Sequence, residues 1–374
     1  MRCAGRRDQT RERLMPRKLA FTGGYKIGLV EYDERPLASH EVRVQTEFAS
    51  GKHGTPLAIM DGRSERGQIW DDEMRLFVPE EGADGRYDLS GAPVGTSGVG
   101  TVIEVGTDVS EWKVGDRVIS FLDVSETNII STRRKLPWDG PPLWLDGCIW
   151  HLGDIDPLTA LCFEPAFVSF HCIRESNVRF ADTVAVVGLG AIGLLTVRMA
   201  ALSGAEQIFA VDPLPKRREL ALDFGAHYAL DPFEADAALE IHKLTGGPGV
   251  DVAVELSATY QGLQSAIRAT RMEGTICASG VYLDEGRGLW LGREFHRNRQ
   301  TMIVPHGCYV GHKPRDYSRW DDYRAYDAII SMMRQGALTA PGLIQPLVSL
   351  DEGPAVWDLV VNEPAQVVKF GIRF

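Results

Sequence analysis

The chain has 374 residues, 44% of them hydrophobic and 24% charged, and it carries a formal net charge of −11. This composition is typical of a globular protein long enough to form two domains. The negative charge argues against a nucleic-acid or anionic-membrane partner, since either would need a basic surface. No apolar run reaches the roughly 18 residues that a membrane span requires.

The cysteine pattern and the first residues predict the cellular location of the protein. Six cysteines are scattered without a C-x-x-C pair, so neither a disulfide framework nor a cysteine zinc knuckle is expected. We therefore predict a reducing, cytoplasmic location. Residues 1–16 contain five arginines with no apolar segment behind them. That pattern excludes a secretory signal, and we expect a disordered tail.

The stretch from Arg17 to about Phe121 is predicted to be rich in β-strands. Residues Glu41–Phe48 alternate apolar and polar side chains, which favours a half-buried strand. Further strands are expected over Ser97–Val105 and Val114–Ile119, separated by glycine-containing turns. Several short strands at such spacing indicate a partly closed barrel or a sandwich.

Between Asp123 and Asp156 the sequence becomes irregular, with tryptophans at 138, 144 and 150 among prolines and glycines. Loops of this length in a compact chain are usually functional or disordered. Two interpretations remain open here: an ordered lid or binding loop, or a loop that its tryptophans anchor to the body.

From about Phe163 to Cys308 short apolar strands alternate with helical patterns, which is typical of a doubly wound parallel sheet. The predicted strands are Val184–Val187, Gln207–Val211, Tyr228–Leu230, Val252–Leu256, Thr275–Ser279 and Met302–Val304. The predicted helices are Ile192–Ala201, Lys216–Phe224, Ala235–Leu244 and Gln261–Thr270. A mixed segment follows, with a helix over Asp322–Arg334 and a closing strand over Val367–Arg373.

Residues 182–212 predict a dinucleotide site. An apolar strand leads into a turn with Gly188, Gly190 and Gly193, and Leu189, Ala191 and Ile192 lie between or beside these glycines. The first glycine permits the tight turn, the second lets the backbone approach a pyrophosphate, and the third lets the helix pack on the sheet. Asp212 closes the next strand, where a carboxylate binds the adenosine ribose.

The order of these parts resembles the medium-chain dehydrogenase/reductase superfamily, in its zinc alcohol and polyol dehydrogenase-like group. The segments that carry the resemblance are 97–106 (SGVGTVIEVG), 114–118 (VGDRV), 164–165 (EP), the glycine turn, 251–257 (DVAVELS), 273–280 (EGTICASG) and 364–370 (PAQVVKF). The resemblance implies a GroES-like substrate domain over 17–163 and 309–374 and a Rossmann domain over 164–308. It also implies a small-molecule substrate and a homodimer or homotetramer.

The resemblance assigns further residues to the cofactor site. Ser257, Gly280 and Val281 occupy positions beside the nicotinamide half. Asp212 disfavours the 2′-phosphate of NADP by charge repulsion, so NAD is expected as the cofactor and NADP is less favoured. Arg217, within the basic run at 216–218, is a further candidate for the cofactor site because it can accommodate a phosphate. The alternative is that it only lines the next helix.

The departures from the family concern its catalytic zinc. Where zinc members place a ligand cysteine, this chain reads Gly-Lys-His-Gly-Thr over 51–55, with His53 in its place. Thr96 and Ser97 replace the histidine and glutamate of a Gly-His-Glu motif, while Glu164 remains. Catalytic zinc ordinarily takes three ligands from Cys, His, Asp and Glu, and hydroxyls are poor donors. No zinc is expected.

Without a metal, a side chain must take the proton from a substrate hydroxyl. His53 is the natural base because its unperturbed pKa lies near neutrality, although a histidine in a glycine turn can also be a structural hydrogen bonder. Glu164 is expected to orient the imidazole or to cap the following helix. Thr55 matches the hydroxyl that relays a proton in the family, and Lys52 stabilises an alkoxide or is a surface charge.

These assignments predict a zinc-independent, NAD-dependent dehydrogenase that oxidises a secondary alcohol of a polyol, sugar or cyclitol-like substrate. Thr96, Ser97 and Trp144 are the candidate substrate-binding residues, the tryptophan through stacking on a sugar face. Two alternatives remain open. One is a zinc-free NAD(P)H-dependent reductase of activated C=C bonds, and the other is a non-catalytic dinucleotide-binding sensor.

Overall fold

A computed structural model describes residues 15–62, 65–86, 88–135, 146–305, 315 and 319–374. The predicted tail up to residue 14, Trp138 and the candidate substrate residue Trp144 lie outside these ranges. The strands are β1 (Arg17–Gly23), β2 (Lys26–Glu31), β3 (Glu41–Gly51), β4 (Gln68–Asp71), β5 (Leu76–Pro79), β6 (Gly95–Val105), β7 (Arg117–Ser120), β8 (Thr127–Ser131), β9 (Ile149–His151), β10 (Thr183–Val187), β11 (Gln207–Val211), β12 (Tyr228–Leu230), β13 (Val250–Glu255), β14 (Thr270–Ala278), β15 (Thr301–Ile303), β16 (Ile344–Ser349) and β17 (Lys369–Arg373). The helices are α1 (Gly54–Asp61), α2 (Pro157–Ala160), α3 (Phe163–Glu175), α4 (Ala191–Leu202), α5 (Pro215–Asp223), α6 (Ala237–Leu244), α7 (Tyr260–Ala269), α8 (Glu294–Arg297), α9 (Asp322–Arg334) and α10 (Gly353–Asn362).

Six strands form a parallel sheet in the order β12-β11-β10-β13-β14-β15. Both faces of β10 are buried, as its alternating residues show. Val184 and Val186 belong to a core that includes Leu194 of α4, while Ala185 and Val187 pack in a second core with α7. Helices therefore cover both faces, and the predicted doubly wound sheet is confirmed. The strand order reverses between β10 and β13, where such sheets bind ligands.

The second large sheet is mixed and has the order β16-β17-β3-β6-β7-β9, with β8 also paired to β3. It is the predicted β-rich, GroES-like part of the fold, and β17 joins it from the far end of the sequence. The prediction that β3 is half-buried is wrong at the start of the strand. Glu41 and Arg43, on the face expected to be exposed, are 9% and 8% exposed. Arg43 is kept buried by ion pairs with Glu34 and Glu104.

The segment 123–156 contains two strands, β8 and β9, that the sequence did not predict. Both are short, and each is defined by pairing with a distant strand, β3 and β7 respectively. Trp150 is buried in β9, packs against Phe163 and donates to Asp327. For this tryptophan, the interpretation as an anchor to the body is the right one.

Four segments converge where the two sheets meet. The end of β3 is tied to β17, because Ser50 Oγ donates to Phe370 O at 2.7 Å. The start of β6 is tied to the approach to α3, because Ser97 Oγ donates to Leu161 O at 2.7 Å. None of the described helices is long and apolar enough to cross a membrane.

Candidate active site

The glycine turn connects β10 to α4 as the sequence predicted. Gly188 has φ +91°, and a Cβ there would lie 2.5 Å from Ser257 N. A Cβ on Gly193 would lie 2.0 Å from Gly188 O, so the helix can approach the turn only with glycine at this position. A Cβ on Gly190, by contrast, would meet nothing within 4 Å. Gly190 caps α4 and therefore borders the open space at its N-terminus, where a pyrophosphate would bind.

Asp212 is 4% exposed at the end of β11 and is tied to the glycine turn. Its Oδ2 accepts from Leu189 N at 2.8 Å, and its Oδ1 accepts from Leu214 N at 2.9 Å. Arg217 Nη1 lies 3.8 Å from the same carboxylate. Arg217 also donates to the carbonyls of Pro364 and Val367, both at 3.1 Å. This arginine thus joins the parallel-sheet part of the fold to the segment before β17.

A buried carboxylate connects the loops after β13 and β14. Glu255 is 0% exposed, and its carboxylate accepts from Ser257 N at 2.7 Å, from the Ser257 hydroxyl and from the Tyr282 hydroxyl. Burial raises the pKa of Glu255. A Cβ on Gly280 would lie 2.6 Å from Ala258 Cα, so the two loops touch. The structure thereby brings together Ser257, Gly280 and the exposed Val281.

The turn at 51–55 places His53 at the N-cap of α1. Its Nδ1 is shielded from solvent and has no hydrogen-bond partner among the described residues. Burial, together with the smaller effect of the positive charges of Lys369 and Arg217, lowers the pKa of His53 to about 4. The imidazole is therefore neutral at neutral pH and can accept a proton. Thr55, two residues on, is exposed.

Lys52, in the turn at 51–55, forms an ion pair with Glu164. Lys52 Nζ lies 2.9 Å from Glu164 Oε1, in the first turn of α3, and the glutamate is 5% exposed. We expected Glu164 to orient His53 or to cap α3. In the described part of the chain it pairs with Lys52, and it has no hydrogen bond with the imidazole. The ammonium group thus stands beside the only acid retained from the family's zinc ligands.

These donors do not fit a catalytic zinc. Within the described ranges, no three His, Cys, Asp or Glu side chains lie close enough together to hold a metal ion. Glu164 is engaged by a cation, His53 supplies one nitrogen, and the two remaining positions carry the hydroxyls of Thr96 and Ser97. Zinc prefers three ligands of the nitrogen, sulfur or carboxylate type.

Thr96 and Ser97 lie at the start of β6 but have different surroundings. Ser97 is fully buried and satisfies the Leu161 carbonyl, so its hydroxyl supports the backbone. Thr96 Oγ1 is shielded and has no partner in the described structure. The strand start is fixed by Asp123, whose Oδ1 accepts from Val94 N at 3.0 Å and Gly95 N at 2.8 Å. Thr96 is thus the better placed of the two to meet a substrate.

Sequence reasoning missed Lys369. This lysine in β17 is 4% exposed and donates to Gly51 O at 3.0 Å, which fixes the turn before His53. Burial lowers the pKa of Lys369. The sequence does contain one signal, which is a single charged residue inside the apolar run 367–372. Lysine is almost never fully buried without a partner, so a lysine in a buried strand indicates a specific role.

The parallel sheet, the glycine turn at its switch point and the polar cleft toward the second sheet define a dinucleotide-dependent oxidoreductase. The chain is 33% identical to the D-guloside 3-dehydrogenase of Escherichia coli K12 over 368 residues, 96% of this chain and 100% of the relative. It therefore belongs to the medium-chain dehydrogenase/reductase superfamily, which is pyridine-nucleotide dependent. Residues 191–320 match the family model described as zinc-binding dehydrogenase.

Other proteins similar to this chain are dehydrogenases as well. The chain is 29% identical to the (R,R)-butanediol dehydrogenase of Bacillus subtilis strain 168 over 280 residues, 68% of this chain and 72% of the relative. The crystal structure of 2R,3R-butanediol dehydrogenase from Bacillus subtilis superposes with a TM-score of 0.71 and 22% identity, covering 96% of this chain and 99% of that one. A zinc-binding dehydrogenase structure from Sinorhizobium meliloti 1021, bound to NADP, gives 0.72 at 19% identity with the same coverage. These two structures support the fold.

Proposed function

We propose that the protein is a zinc-independent, NAD-dependent dehydrogenase that oxidises a secondary alcohol of a sugar, polyol or cyclitol-like substrate. The observation that carries this proposal is the shielded, unpartnered Nδ1 of His53, in a turn that also carries Lys52. A neutral base and a cation side by side meet the two needs of alcohol oxidation, which are proton removal and alkoxide stabilisation.

The relatives support the substrate class. The protein with 33% identity is named for a guloside and for position 3, and position 3 of a hexopyranoside ring carries a secondary hydroxyl. The relative with 29% identity is named for butanediol, whose (R,R) form is also a secondary alcohol. The unpartnered Thr96 Oγ1 adds a polar group that can bind a neighbouring substrate hydroxyl.

In the proposed reaction His53 accepts the proton of the substrate hydroxyl. With a pKa of about 4 it is a weak base, so the alkoxide must be stabilised while the proton leaves. The ammonium group of Lys52 is placed for this, and the nearby positive charges of Lys369 and Arg217 act in the same direction. Thr55 is exposed and can pass the proton to solvent. NAD⁺, when bound, supplies the hydride acceptor.

The preference for NAD over NADP is proposed from Asp212. Its buried carboxylate is held by backbone N–H groups at the end of β11, where the ribose hydroxyls bind in folds of this kind. A 2′-phosphate would face this negative charge. We further propose a cytoplasmic homodimer or homotetramer. The described cysteines, at 148, 162, 172 and 277, are buried and form no disulfide, which supports a reducing compartment.

The test is NAD⁺ reduction by chelator-dialysed protein across sugars, glycosides, polyols, cyclitols and simple alcohols, with metal content assayed on the same sample. We expect turnover without metal and its loss in His53→Ala. The control is His296→Ala, which changes an exposed histidine on α8. Turnover that appears only on adding zinc would contradict the metal-free mechanism. Activity on C=C substrates that survives in His53→Ala would favour the reductase, and tight NADH binding without turnover would favour the sensor.

A further inference from the structure

A groove of about 670 Å³ opens beside the proposed nicotinamide site. One wall is the start of α7, including Tyr260 and Gln261, and the other is the loop after β14, including Glu285 and Arg287. This volume falls in the range of small-molecule binding sites. Neither the glycine turn nor the turn containing His53 lines the groove, so most of its lining lies beyond the residues assigned to the cofactor and the base.

The groove begins at residues assigned to the cofactor site. Val281 lines it, and this side chain is 55% exposed. Ala258, on the opposite side, directly follows Ser257 and touches the backbone at Gly280. A substrate whose reacting carbon faces the nicotinamide can therefore extend past Val281 into the groove.

One wall of the groove is rigid and aromatic. The rings of Tyr260 and Tyr282 stack with centroids 5.0 Å apart and planes 28° apart. Tyr282 is fixed in turn by its hydrogen bond to the buried Glu255. An aromatic ring held in place in this way offers an apolar surface to the C–H face of a sugar at low entropic cost.

Three polar side chains of the groove are available for a ligand. Gln261, Glu285 and Arg287 make no side-chain hydrogen bond or ion pair with the rest of the described structure. Together with Asp284 the charged lining is two carboxylates and one guanidinium. Glu285 and Arg287 offer acceptors and donors of opposite charge, and this mixture suits a neutral polyhydroxylated ligand.

We propose that the groove is an outer subsite for the second sugar ring of a glycoside, whose first ring is oxidised beside His53. This inference rests on the proposed function and narrows its substrate class from free sugars to neutral glycosides. Stacking on Tyr260 and hydrogen bonds from Gln261 and Arg287 hold the second ring, while the oxidised ring contacts Thr96.

The test compares a hexose with a disaccharide that carries the same ring at its non-reducing end. We expect wild-type kcat/KM to be higher for the disaccharide by at least about tenfold, the effect of one or two added hydrogen bonds. Arg287→Ala and Gln261→Ala are expected to remove most of this preference through KM. They should leave kcat/KM for the hexose and the dissociation constant for NADH unchanged. Arg297→Ala, an exposed arginine on α8, is the matched control.

Two results would overturn the subsite: equal kcat/KM for both substrates in the wild type, or a loss of NADH affinity in Arg287→Ala, which would assign the groove to the cofactor. Calorimetric binding of the disaccharide to the NADH complex separates this inference from the proposed function. Binding weakened by Arg287→Ala, with no turnover of any alcohol, would support the subsite and refute the dehydrogenase. Turnover of simple polyols without disaccharide binding would do the reverse.

Discussion

The hydroxyl of Tyr282 donates a hydrogen bond to the fully buried carboxylate of Glu255. Because Glu255 also holds Ser257 N, this one carboxylate fixes both loops of the proposed nicotinamide half of the cofactor site. Because the carboxylate is shielded from solvent, the loss of one of these donors leaves a buried polar group less satisfied. Such a loss costs about 1–3 kcal/mol of stability. The bond therefore supports the two loops proposed for the nicotinamide half, whereas Asp212, proposed for the adenine half, takes no part in it.

Tyr282→Phe is expected to weaken NADH binding by about three- to tenfold, or roughly 1 kcal/mol, and to leave ADP-ribose binding unchanged. Fluorescence titration with both ligands measures the difference. Tyr260→Phe is the matched control, because its ring belongs to the same stack and its hydroxyl has no partner among the described residues. A parallel loss of ADP-ribose affinity would mean that the bond supports the whole domain and not one half of the site.

His53→Asn is expected to lower kcat by about 10²–10⁴-fold, the usual contribution of a general base. In the wild type, the acid limb of kcat/KM should lie well below pH 6.5, toward the pKa of about 4 that burial imposes. A pH–rate profile measures both. An acid limb at 6.5 would show that the imidazole is solvated, and unchanged activity in the variant would remove it from the mechanism.

The same buried histidine predicts a pH dependence of stability. Its pKa is lower in the folded protein, at about 4, than its ordinary value of 6.5, so between these values the unfolded chain binds the additional proton. The stability contributed by the neutral imidazole is thus complete above pH 6.5 and is lost as the pH falls to about 4. Urea unfolding should show a smaller decline over this window in His53→Asn. Equal declines would place the acid sensitivity elsewhere.

Lys52→Met is expected to lower both activity and the free energy of unfolding, the latter by about 1–3 kcal/mol, because Glu164 would be left buried without its cation. The double variant Lys52→Met with Glu164→Gln should recover stability and not kcat, since neutral side chains remove the unpaired charge but supply no cation for the alkoxide. Urea unfolding and steady-state kinetics separate the two effects. Recovery of kcat in the double variant would reduce the pair to a structural role.

Two glycines of one turn should respond in opposite ways. Gly190→Ala adds a methyl group into open space at φ −68°, so we expect stability within about 1 kcal/mol of wild type. NADH affinity should fall at least tenfold, because the pyrophosphate needs that space. Gly193→Ala should instead destabilise the fold by about 1–3 kcal/mol through its contact with Gly188 O. Thermal unfolding and NADH titration on both variants provide the comparison.

The parallel sheet and its glycine turn could be read from the sequence because their signals are local. Apolar runs bounded by turn residues gave β11 and β12 at their observed bounds, and they placed the start of α4 next to Gly190. The strands β8 and β9 were missed because they lie in a segment without a local strand pattern and exist through pairing with strands far away in the sequence.

The candidate site was only partly predictable for the same reason. The residues of the turn at 51–55 stood out by their departure from a family pattern, but their partners did not. Lys52 pairs with a glutamate 112 positions away, and Lys369 reaches Gly51 across 318 positions. No periodicity or spacing reports such contacts, because they arise from packing of the finished sheet.

The bond from Lys369 to Gly51 also determines when the turn at 51–55 can be fixed during synthesis of the chain. The strand that precedes His53 emerges from the ribosome early, whereas β17, which lies beside it and fixes the turn, is translated more than 300 residues later. Domains generally fold in the order of translation, yet the turn that carries His53 is fixed only after one of the last strands has been made. The core beside β10 also needs late residues, because it includes Tyr326, Ile344 and Val368. Nascent chains without these segments are therefore expected to lack both a complete core and a fixed turn at 51–55.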